Sequence, residues 1–189
     1  MEAIIISGMP ASGKTTVANI ISKELKIPTI GGGDILKEMA VERGYNPGGN
    51  DWWDTSEGME FLKERNTNPD FDKETDVRMK EKIAKGSIVV TSWTAPWLSK
   101  KGFKVWLNAT AENRAQRMSM RDRKDIAKMT EIVKKRDEEN YILYKKLYKI
   151  EFGKDMKPFD MIIDTDKRTP EQVAKIVLEK YRERNPKYG

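Results

Sequence analysis

The chain has 189 residues, of which 38% are hydrophobic and 35% are charged, and it carries a formal net charge of +6. This size predicts one domain with a core of its own, and no apolar run approaches the roughly 18 residues of a membrane span or resembles a secretory signal, so we expect a cytoplasmic protein without membrane partners. Cysteine and histidine are both absent, which excludes disulfides, zinc held by these residues and histidine-based acid–base catalysis.

Short apolar runs alternate along the chain with longer amphipathic segments, and this alternation predicts an α/β fold built on a largely parallel sheet. The first and third runs, IIIS and IVVT, lack the two-residue alternation of a half-exposed strand, as expected where helices cover both faces of a sheet. The predicted strands span residues 3–7, 28–30, 87–91, 103–107 and 161–163.

The segment after the first strand, GMPASGKT at residues 8–15, matches the P-loop pattern G-x-x-x-x-G-K-[ST]. Its glycines allow backbone N–H groups to turn toward phosphate oxygens, and the helix that follows adds its positive N-terminal end. In this pattern Lys14 reaches the β- and γ-phosphates, while the Thr15 hydroxyl can ligate Mg²⁺. An ordinary glycine-bearing turn is the alternative, but the flanking strand and helix favour nucleotide binding. The residues predicted to bind ATP at this loop are Gly8, Met9, Pro10, Ala11, Ser12, Gly13, Lys14, Thr15 and Thr16.

Helical spacing of apolar residues predicts one helix directly after the P-loop and another near the C-terminus, the latter with Thr169-Pro170-Glu171 as cap and first turn. Residues 45–72 lack such a pattern and contain NPGGND, a tryptophan pair and NTNPD, so we interpret them as loops around one short helix. From residue 111 to about 150 the chain is charged and helical with no glycine or proline. We expect a helical lid or arm in that segment.

The stretch VVTSWTAPW at residues 89–97 carries no charge and follows the third predicted strand. A Walker B carboxylate is expected at the end of that strand, but the chain has Thr91 and Ser92 there. Since open α/β sheets bind ligands at the carboxyl ends of their strands, this segment is predicted to border the γ-phosphate. Trp97 is expected to pack against the core, whereas packing and ligand contact are equally open for Trp93.

Three arginines in the charged segment, Arg114, Arg117 and Arg121, are spaced at i, i+3 and i+7 and therefore lie on one helical face. Small-molecule kinases need such cations to close over the phosphoryl group that is being transferred. A solvated basic surface is the alternative, but beside a P-loop we favour phosphate binding.

The order of these segments resembles the archaeal-type cytidylate kinases within the nucleoside monophosphate kinases. The resemblance spans nearly the whole chain and is carried by the P-loop, GGGDILKEMAVERG at 31–44, DFDKETDVRMKEKIAKG at 70–86, VWLNATAENRAQRMSMRD at 105–122 and IIDTDKRTPEQV at 162–173. It implies a P-loop kinase fold with a five-stranded parallel sheet flanked by helices, and with ATP and Mg²⁺ as cofactors. It also implies one domain with a core (1–33, 84–113 and 156–189), an acceptor-binding arm (about 34–83) and an Arg-bearing lid with its following helix (about 114–155).

The same resemblance implies roles for particular residues. The residues it places at the transferring phosphate are Lys14, Arg117, Arg121 and Arg136, and those it places near the donor base are Asp166 and Lys167. The residues that would border the acceptor are Asp34, Lys37, Arg78, Ser92 and Trp93. Two of these have structural alternatives, because Asp34 can cap the helix at 35–42 and Arg78 can pair with Glu74 or Glu81.

The chain departs from the family pattern on the acceptor side. Trp93 stands where the family has an arginine, Lys37 replaces another, and Leu143 replaces a third on the long helix. An indole or an isobutyl group cannot make the bidentate contact of arginine with phosphate. The resemblance implies CMP or dCMP as the acceptor; a nucleoside or a non-nucleotide acceptor is the alternative. An RNA-associated ATPase is less favoured, because the chain lacks a clustered basic tail and an RNP-like aromatic motif. The sequence predicts no oligomeric state.

Overall fold

Five short apolar segments form one parallel sheet with the strand order β2-β3-β1-β4-β5 in a computed structural model that describes residues 1–48, 52–68 and 70–188. Every strand begins within two residues of its predicted start, and the predicted α/β fold is confirmed. The strands are β1 (Ile4–Gly8), β2 (Thr29–Gly31), β3 (Val89–Thr91), β4 (Phe103–Asn108) and β5 (Met161–Asp164).

Helices cover both faces of the sheet. This agrees with the strand sequences, in which apolar residues do not alternate with polar ones. The helices are α1 (Lys14–Leu25), α2 (Gly32–Glu42), α3 (Ser56–Thr67), α4 (Asp70–Lys85), α5 (Ala95–Leu98), α6 (Ala111–Asp122), α7 (Ile126–Tyr148) and α8 (Pro170–Arg184), with 3-10 helices at Trp52–Asp54 and Pro186–Tyr188. The helices predicted after the P-loop and near the C-terminus are confirmed as α1 and α8. No helix in the described part of the chain is both long enough and apolar enough to cross a membrane.

Strand β1 lies at the centre of the sheet, and its alternate residues face two separate apolar clusters. Ile5 contributes to the cluster under α2 and α4, together with Met39 and Ile83. Ile4 and Ile6 contribute to the cluster under α1 and α8 on the opposite face. Both clusters fix the position of the loop that leaves β1, which is the P-loop.

The interpretation of residues 45–72 as loops around one short helix is wrong. The segment contains a 3-10 helix, the twelve-residue α3 and the start of α4; residues 49–51 and 69 lie outside the described residues. Trp52 and Phe61 are buried, with ring centroids 5.7 Å apart, and the Trp52 carbonyl packs so closely on Gly58 that a β-carbon there would lie 2.1 Å from it. Aromatic burial therefore orders a segment whose composition resembles that of a loop.

The long charged segment from residue 111 forms two helices, α6 and α7. Arg123 has a left-handed backbone with a φ of 52° and ends α6, and the Asp125 side chain then accepts a hydrogen bond of 3.0 Å from the Lys128 N–H at the start of α7. Apolar residues of the two helices, including Met118 and Val133, pack together in a small cluster of their own.

Candidate active site

The P-loop joins the end of β1 to the start of α1, and its close contacts require glycine. A β-carbon on Gly8 would lie 2.5 Å from the Leu107 carbonyl oxygen, and Gly13 has a φ of 95°, which favours glycine. These glycines allow the tight turn that leads from β1 into α1, and the N-terminus of a helix at such a turn is suited to bind anions.

Lys14, the first residue of α1, lies at the centre of the site. Its Nζ donates hydrogen bonds of 2.8 Å to the carbonyl oxygens of both Gly8 and Met9. Burial, together with the positive charges of Arg136 and Arg114, lowers the pKa of Lys14 to about 7. Lys14 lines two cavities.

The larger of the two, which we call the donor cavity, has a volume of about 560 Å³. Its lining residues are Ala11, Ser12, Gly13, Lys14, Thr15, Thr16, Val17, Arg117, Met118, Arg121, Thr165, Arg168, Pro170 and Val173. Arg117 is held in place because it donates 3.1 Å to the Thr165 hydroxyl and 2.6 Å to the Thr165 carbonyl. Arg121 pairs with its neighbour Asp122. The P-loop and two of the predicted arginines thus share one basic cavity.

Arg114 and Arg136 have other positions. Arg114 is buried and forms a bidentate pair with Asp137 of α7, at 2.8 and 2.5 Å, and it also donates 3.3 Å to the Pro10 carbonyl in the P-loop. It therefore connects α6, α7 and the P-loop, which a solvated surface arginine would not do. Arg136 is half-buried and lines neither cavity, and its charge acts on Lys14.

The loop after β5 borders the donor cavity, but through different side chains from those predicted. Asp166 and Lys167 are not among the lining residues, whereas Thr165 and Arg168 are. Asp166 instead accepts a hydrogen bond of 3.0 Å from the Thr110 N–H, which ties this loop to the start of α6. The loop follows the carboxyl end of a strand, which explains why it borders the cavity, but its position in the sequence does not tell which of its side chains face the cavity.

The second cavity, which we call the acceptor cavity, has a volume of about 370 Å³. Its lining residues are Lys14, Gly32, Gly33, Leu36, Asp72, Thr75, Asp76, Met79, Thr91, Ser92, Trp93, Thr94, Leu143, Tyr144, Leu147 and Tyr148. Ser92 and Trp93, two of the residues predicted to border the acceptor, thus line one cavity, and their contact with an acceptor stays a prediction. Lys14 is the one cation among these described lining residues, while Asp72 and Asp76 are acidic.

The other three predicted acceptor residues lie outside this lining. Asp34 accepts a hydrogen bond of 2.7 Å from the Gly31 N–H at the start of α2, which is the capping alternative. The Lys37 Nζ lies 5.9 Å from the centre of the Trp53 ring.

Arg78 donates to both carboxylate oxygens of Glu42 at 2.5 Å and also pairs with Glu74 on its own helix. Arg78 therefore forms the ion pair with Glu74 that was given as the alternative to a role in the site, and it has Glu42 as an additional partner. These bidentate contacts engage the guanidinium outside the acceptor cavity.

Four residues of α4, namely Asp72, Thr75, Asp76 and Met79, line the acceptor cavity. The sequence analysis named none of them as a site residue. The half-buried Asp76 accepts a hydrogen bond of 2.8 Å from the Thr94 hydroxyl and another from the Tyr148 hydroxyl. Burial raises the pKa of the Asp76 carboxyl, and the two hydrogen bonds oppose that rise. Burial and the neighbouring Asp76 also raise the pKa of Tyr148. The spacing of Asp72 and Asp76, four residues apart on one helical face, is the signal that could have identified them.

The two tryptophans of the charge-free stretch have different surroundings. Trp97 packs on Phe159, with ring centroids 5.0 Å apart, and its indole N–H donates 3.1 Å to Asp155, so it packs as expected. Trp93 lines the acceptor cavity and also makes an edge contact with Tyr144 at 6.2 Å. The Ser92 hydroxyl oxygen accepts the N–H groups of two residues at the start of α5.

A P-loop at the carboxyl edge of a parallel sheet, a basic donor cavity and a second cavity that meets it at one lysine define a P-loop phosphotransferase. Residues 3–167 match the model of the cytidylate kinase-like family, and the chain belongs to that family, as the sequence predicted.

Relatives and solved structures agree with this assignment. The chain is 32% identical to a cytidylate kinase of Pyrobaculum neutrophilum over 181 residues, which covers 95% of this chain and 92% of the relative. It is 34% identical to a cytidylate kinase of Sulfurisphaera tokodaii over 178 residues, with 92% of each chain covered. A shikimate kinase from Bacteroides thetaiotaomicron superposes with a TM-score of 0.59 at 16% identity, covering 96% of both chains. A gluconokinase from Sinorhizobium meliloti gives a TM-score of 0.52 at 15% identity, covering 94% of this chain and 89% of the other. The two structures support the fold.

Proposed function

We propose that this phosphotransferase moves the γ-phosphoryl group of ATP onto CMP or dCMP bound in the acceptor cavity. The observation that carries the proposal is the position of Lys14, which lines the donor cavity and the acceptor cavity at once. A phosphoryl group passing between the two ligands would remain beside this ammonium group. The family and the names of its cytidylate kinase relatives supply the candidate acceptor.

The donor side uses residues that favour negative charge. Lys14 contacts the β- and γ-phosphates, while Arg117 and Arg121 stabilise the charge that develops during transfer, because both line the donor cavity. Arg136 contributes positive charge close to Lys14. The segments at about 34–83 and 114–155 act as acceptor arm and lid in this proposal. A cytoplasmic location also belongs to the proposal, since the reaction consumes ATP.

Magnesium fits the donor cavity through hydroxyl, phosphate and water oxygens. Thr15 is exposed at the second residue of α1 and lines the donor cavity, and the described residues contain no group of three acidic side chains that could hold a metal by themselves. Mg²⁺ bound by the Thr15 hydroxyl and the nucleotide would neutralise phosphate charge.

A phosphate-free acceptor is the second candidate, and the charge of the acceptor cavity favours it. A phosphate monoester carries about −1.5 to −2 charges at neutral pH. Among the described residues that line the cavity, Lys14 is the one cation, and Trp93 and Leu143 stand where the family pattern has arginine. A nucleoside such as cytidine would need no phosphate clamp at this position.

An acceptor screen tests the proposal and separates the two candidates. ADP release from ATP should be followed in a coupled assay with CMP, dCMP, UMP, AMP, cytidine, deoxycytidine and small alcohols. We expect CMP or dCMP to stimulate ADP release most, and Lys14→Ala to abolish the release with every acceptor. Stimulation by nucleosides alone would favour the second candidate, and no stimulation by any compound would refute phosphoryl transfer to a small acceptor of these classes.

A further inference from the structure

Ala11 has a left-handed backbone in the middle of the P-loop. Its φ is 64°, a value that is unfavourable for a residue with a β-carbon and easily adopted by glycine. Left-handed backbone at Lys26, Arg123 and Lys149 ends a helix in each case, whereas Ala11 precedes the start of α1. The P-loop pattern accepts any residue at position 11, so glycine would fit the motif without this strain. The methyl group of Ala11 therefore needs an explanation of its own.

The side chain of Ala11 packs against α6 and α7. Its apolar neighbours form the small cluster that joins these two helices, with Ala115 and Met118 on α6 and Met129 and Val133 on α7. These four residues are buried, and Ala11 is half-buried. Burial of the methyl group offsets part of the cost of the left-handed backbone. Glycine at this position would leave the contact unmade.

Two arginines of α6 hold the backbone on either side of Ala11. Arg114 donates a hydrogen bond of 3.3 Å to the Pro10 carbonyl. Arg117 donates one of 3.4 Å to the Ser12 carbonyl. Three successive residues of the P-loop are therefore held by α6 and its cluster with α7, the outer two through their carbonyl groups and the central one through its side chain. Strained backbone persists where the surrounding structure fixes it in this way, and it is frequent in loops that bind ligands.

We propose that Ala11 is a positioning residue whose methyl group, by packing on α6 and α7, holds the P-loop in the conformation that binds phosphate. The inference rests on the proposed function, because it takes ATP as the ligand of the P-loop, but the identity of the acceptor does not enter it. Ala11 is among the residues that line the donor cavity and not among the described residues that line the acceptor cavity. We therefore expect the contact to act on ATP and not on the acceptor.

The contact fixes the P-loop relative to the helix that carries the arginines of the donor cavity. Arg117 and Arg121 of α6 line this cavity together with the P-loop. Glycine at position 11 would have a wider range of backbone conformations, and α6 and α7 could shift without losing an apolar contact to the loop. A ligand binds more weakly in proportion to the fraction of the protein that has left the binding conformation. Loss of the methyl group should therefore weaken ATP binding.

An alanine that is merely tolerated at position 11 is the competing explanation. In that case the methyl group contributes only backbone strain, and glycine at this position would bind ATP equally well or more tightly. Ala11→Gly should fold under either explanation, because glycine adopts a φ of 64° freely. The ATP affinity of this variant therefore separates the two explanations.

The first experiment measures ATP binding to wild type and Ala11→Gly by titration calorimetry, with urea unfolding as the check that each variant is folded. We expect the dissociation constant of ATP to rise at least about fourfold, which corresponds to the loss of one buried methyl group. Ala111→Gly is the matched control, because it removes a methyl group that packs on the same cluster from the start of α6 and leaves the P-loop unchanged. It should keep the wild-type dissociation constant. An unchanged or lower constant in Ala11→Gly, or an equal rise in Ala111→Gly, would overturn the inference.

A double-mutant cycle distinguishes packing on α7 from a direct contact between the methyl group and ATP. Val133→Ala shortens a side chain on the α7 side of the cluster and should raise the dissociation constant of ATP about two- to fourfold in the wild-type background. The same substitution should add little to Ala11→Gly, because the connection to α7 has already been removed. Effects that multiply in the double variant, or no effect of Val133→Ala on ATP binding, would overturn the inference.

Kinetic constants separate this inference from the proposed function. With any acceptor that wild type phosphorylates, Ala11→Gly should raise the KM for ATP and leave the acceptor KM unchanged. An equal rise of both KM values would overturn the inference. A wild type that binds ATP but phosphorylates no acceptor would refute the acceptor part of the proposed function, and the binding comparison would still decide the role of Ala11. A wild type that does not bind ATP would refute both proposals.

Discussion

ATP binding at pH 8 is expected to transfer close to one proton from the solvent to Lys14. The pKa of Lys14 is lowered from its ordinary 10.5 to about 7, so about one tenth of the side chain is protonated at pH 8. Phosphate oxygens at Nζ favour the charged form and return the pKa toward 10.5, so about 0.9 proton should be taken up for each ATP bound.

Titration calorimetry in two buffers with different ionisation enthalpies measures this proton uptake directly. We expect the observed enthalpy to vary with the buffer ionisation enthalpy with a slope near 0.9 in wild type and near zero in Lys14→Met. Lys23→Met, an exposed lysine on the same helix, is the control and should keep the wild-type slope. Above pH 7 and up to about 10.5, the ATP dissociation constant should rise by up to about tenfold per pH unit, because binding then requires a proton. A slope near zero in wild type, or an equal slope in Lys14→Met, would refute this account of Lys14.

Three further predictions concern single side chains. Gly8→Ala should abolish ATP binding in calorimetry, since a β-carbon there would lie 2.5 Å from a strand carbonyl, whereas Gly48→Ala, where a β-carbon meets nothing within 4 Å, should bind normally. Arg114→Met should lower the free energy of unfolding in urea by about 3–5 kcal/mol, because it leaves the Asp137 carboxylate without its bidentate partner; a loss below about 1 kcal/mol would contradict this. Trp93→Ala should raise the acceptor KM about tenfold and leave the ATP KM unchanged in the coupled assay, and an unchanged acceptor KM would remove this indole from the site.

The arrangement of strands was predictable because the signal is local and repeated. Each strand is a short apolar run between amphipathic helices, and the buried strands show no alternation, so the parallel sheet followed from the pattern. The segment at 45–72 was not predictable in the same way. Its turn-forming residues suggest loops, but Trp52 and Phe61 find buried partners that are distant in sequence, and this burial stabilises the helices. The composition of a segment does not show which of its side chains will be buried by residues that are distant in sequence.

The donor side of the site was also largely predictable, and the acceptor side was not. Residues 8–15 match the P-loop pattern within one short stretch, so their spacing is enough to predict a phosphate-binding loop there. The acceptor cavity is assembled from α2, α4, the loop after β3 and the end of α7. No short stretch of sequence contains that combination.

The sequence by itself was enough to predict a P-loop phosphotransferase of the cytidylate kinase-like family. The P-loop is a short contiguous motif, and the order of the segments can be followed directly along the chain. Tertiary structure decided which charges face the ligands. It directs Arg78 to Glu42 and Glu74, buries Arg114 against Asp137, and brings Asp76 into the acceptor cavity. Helical spacing places a side chain on a face of its own helix, but only the packing of that helix decides whether the face meets solvent, an ion-pair partner or a cavity.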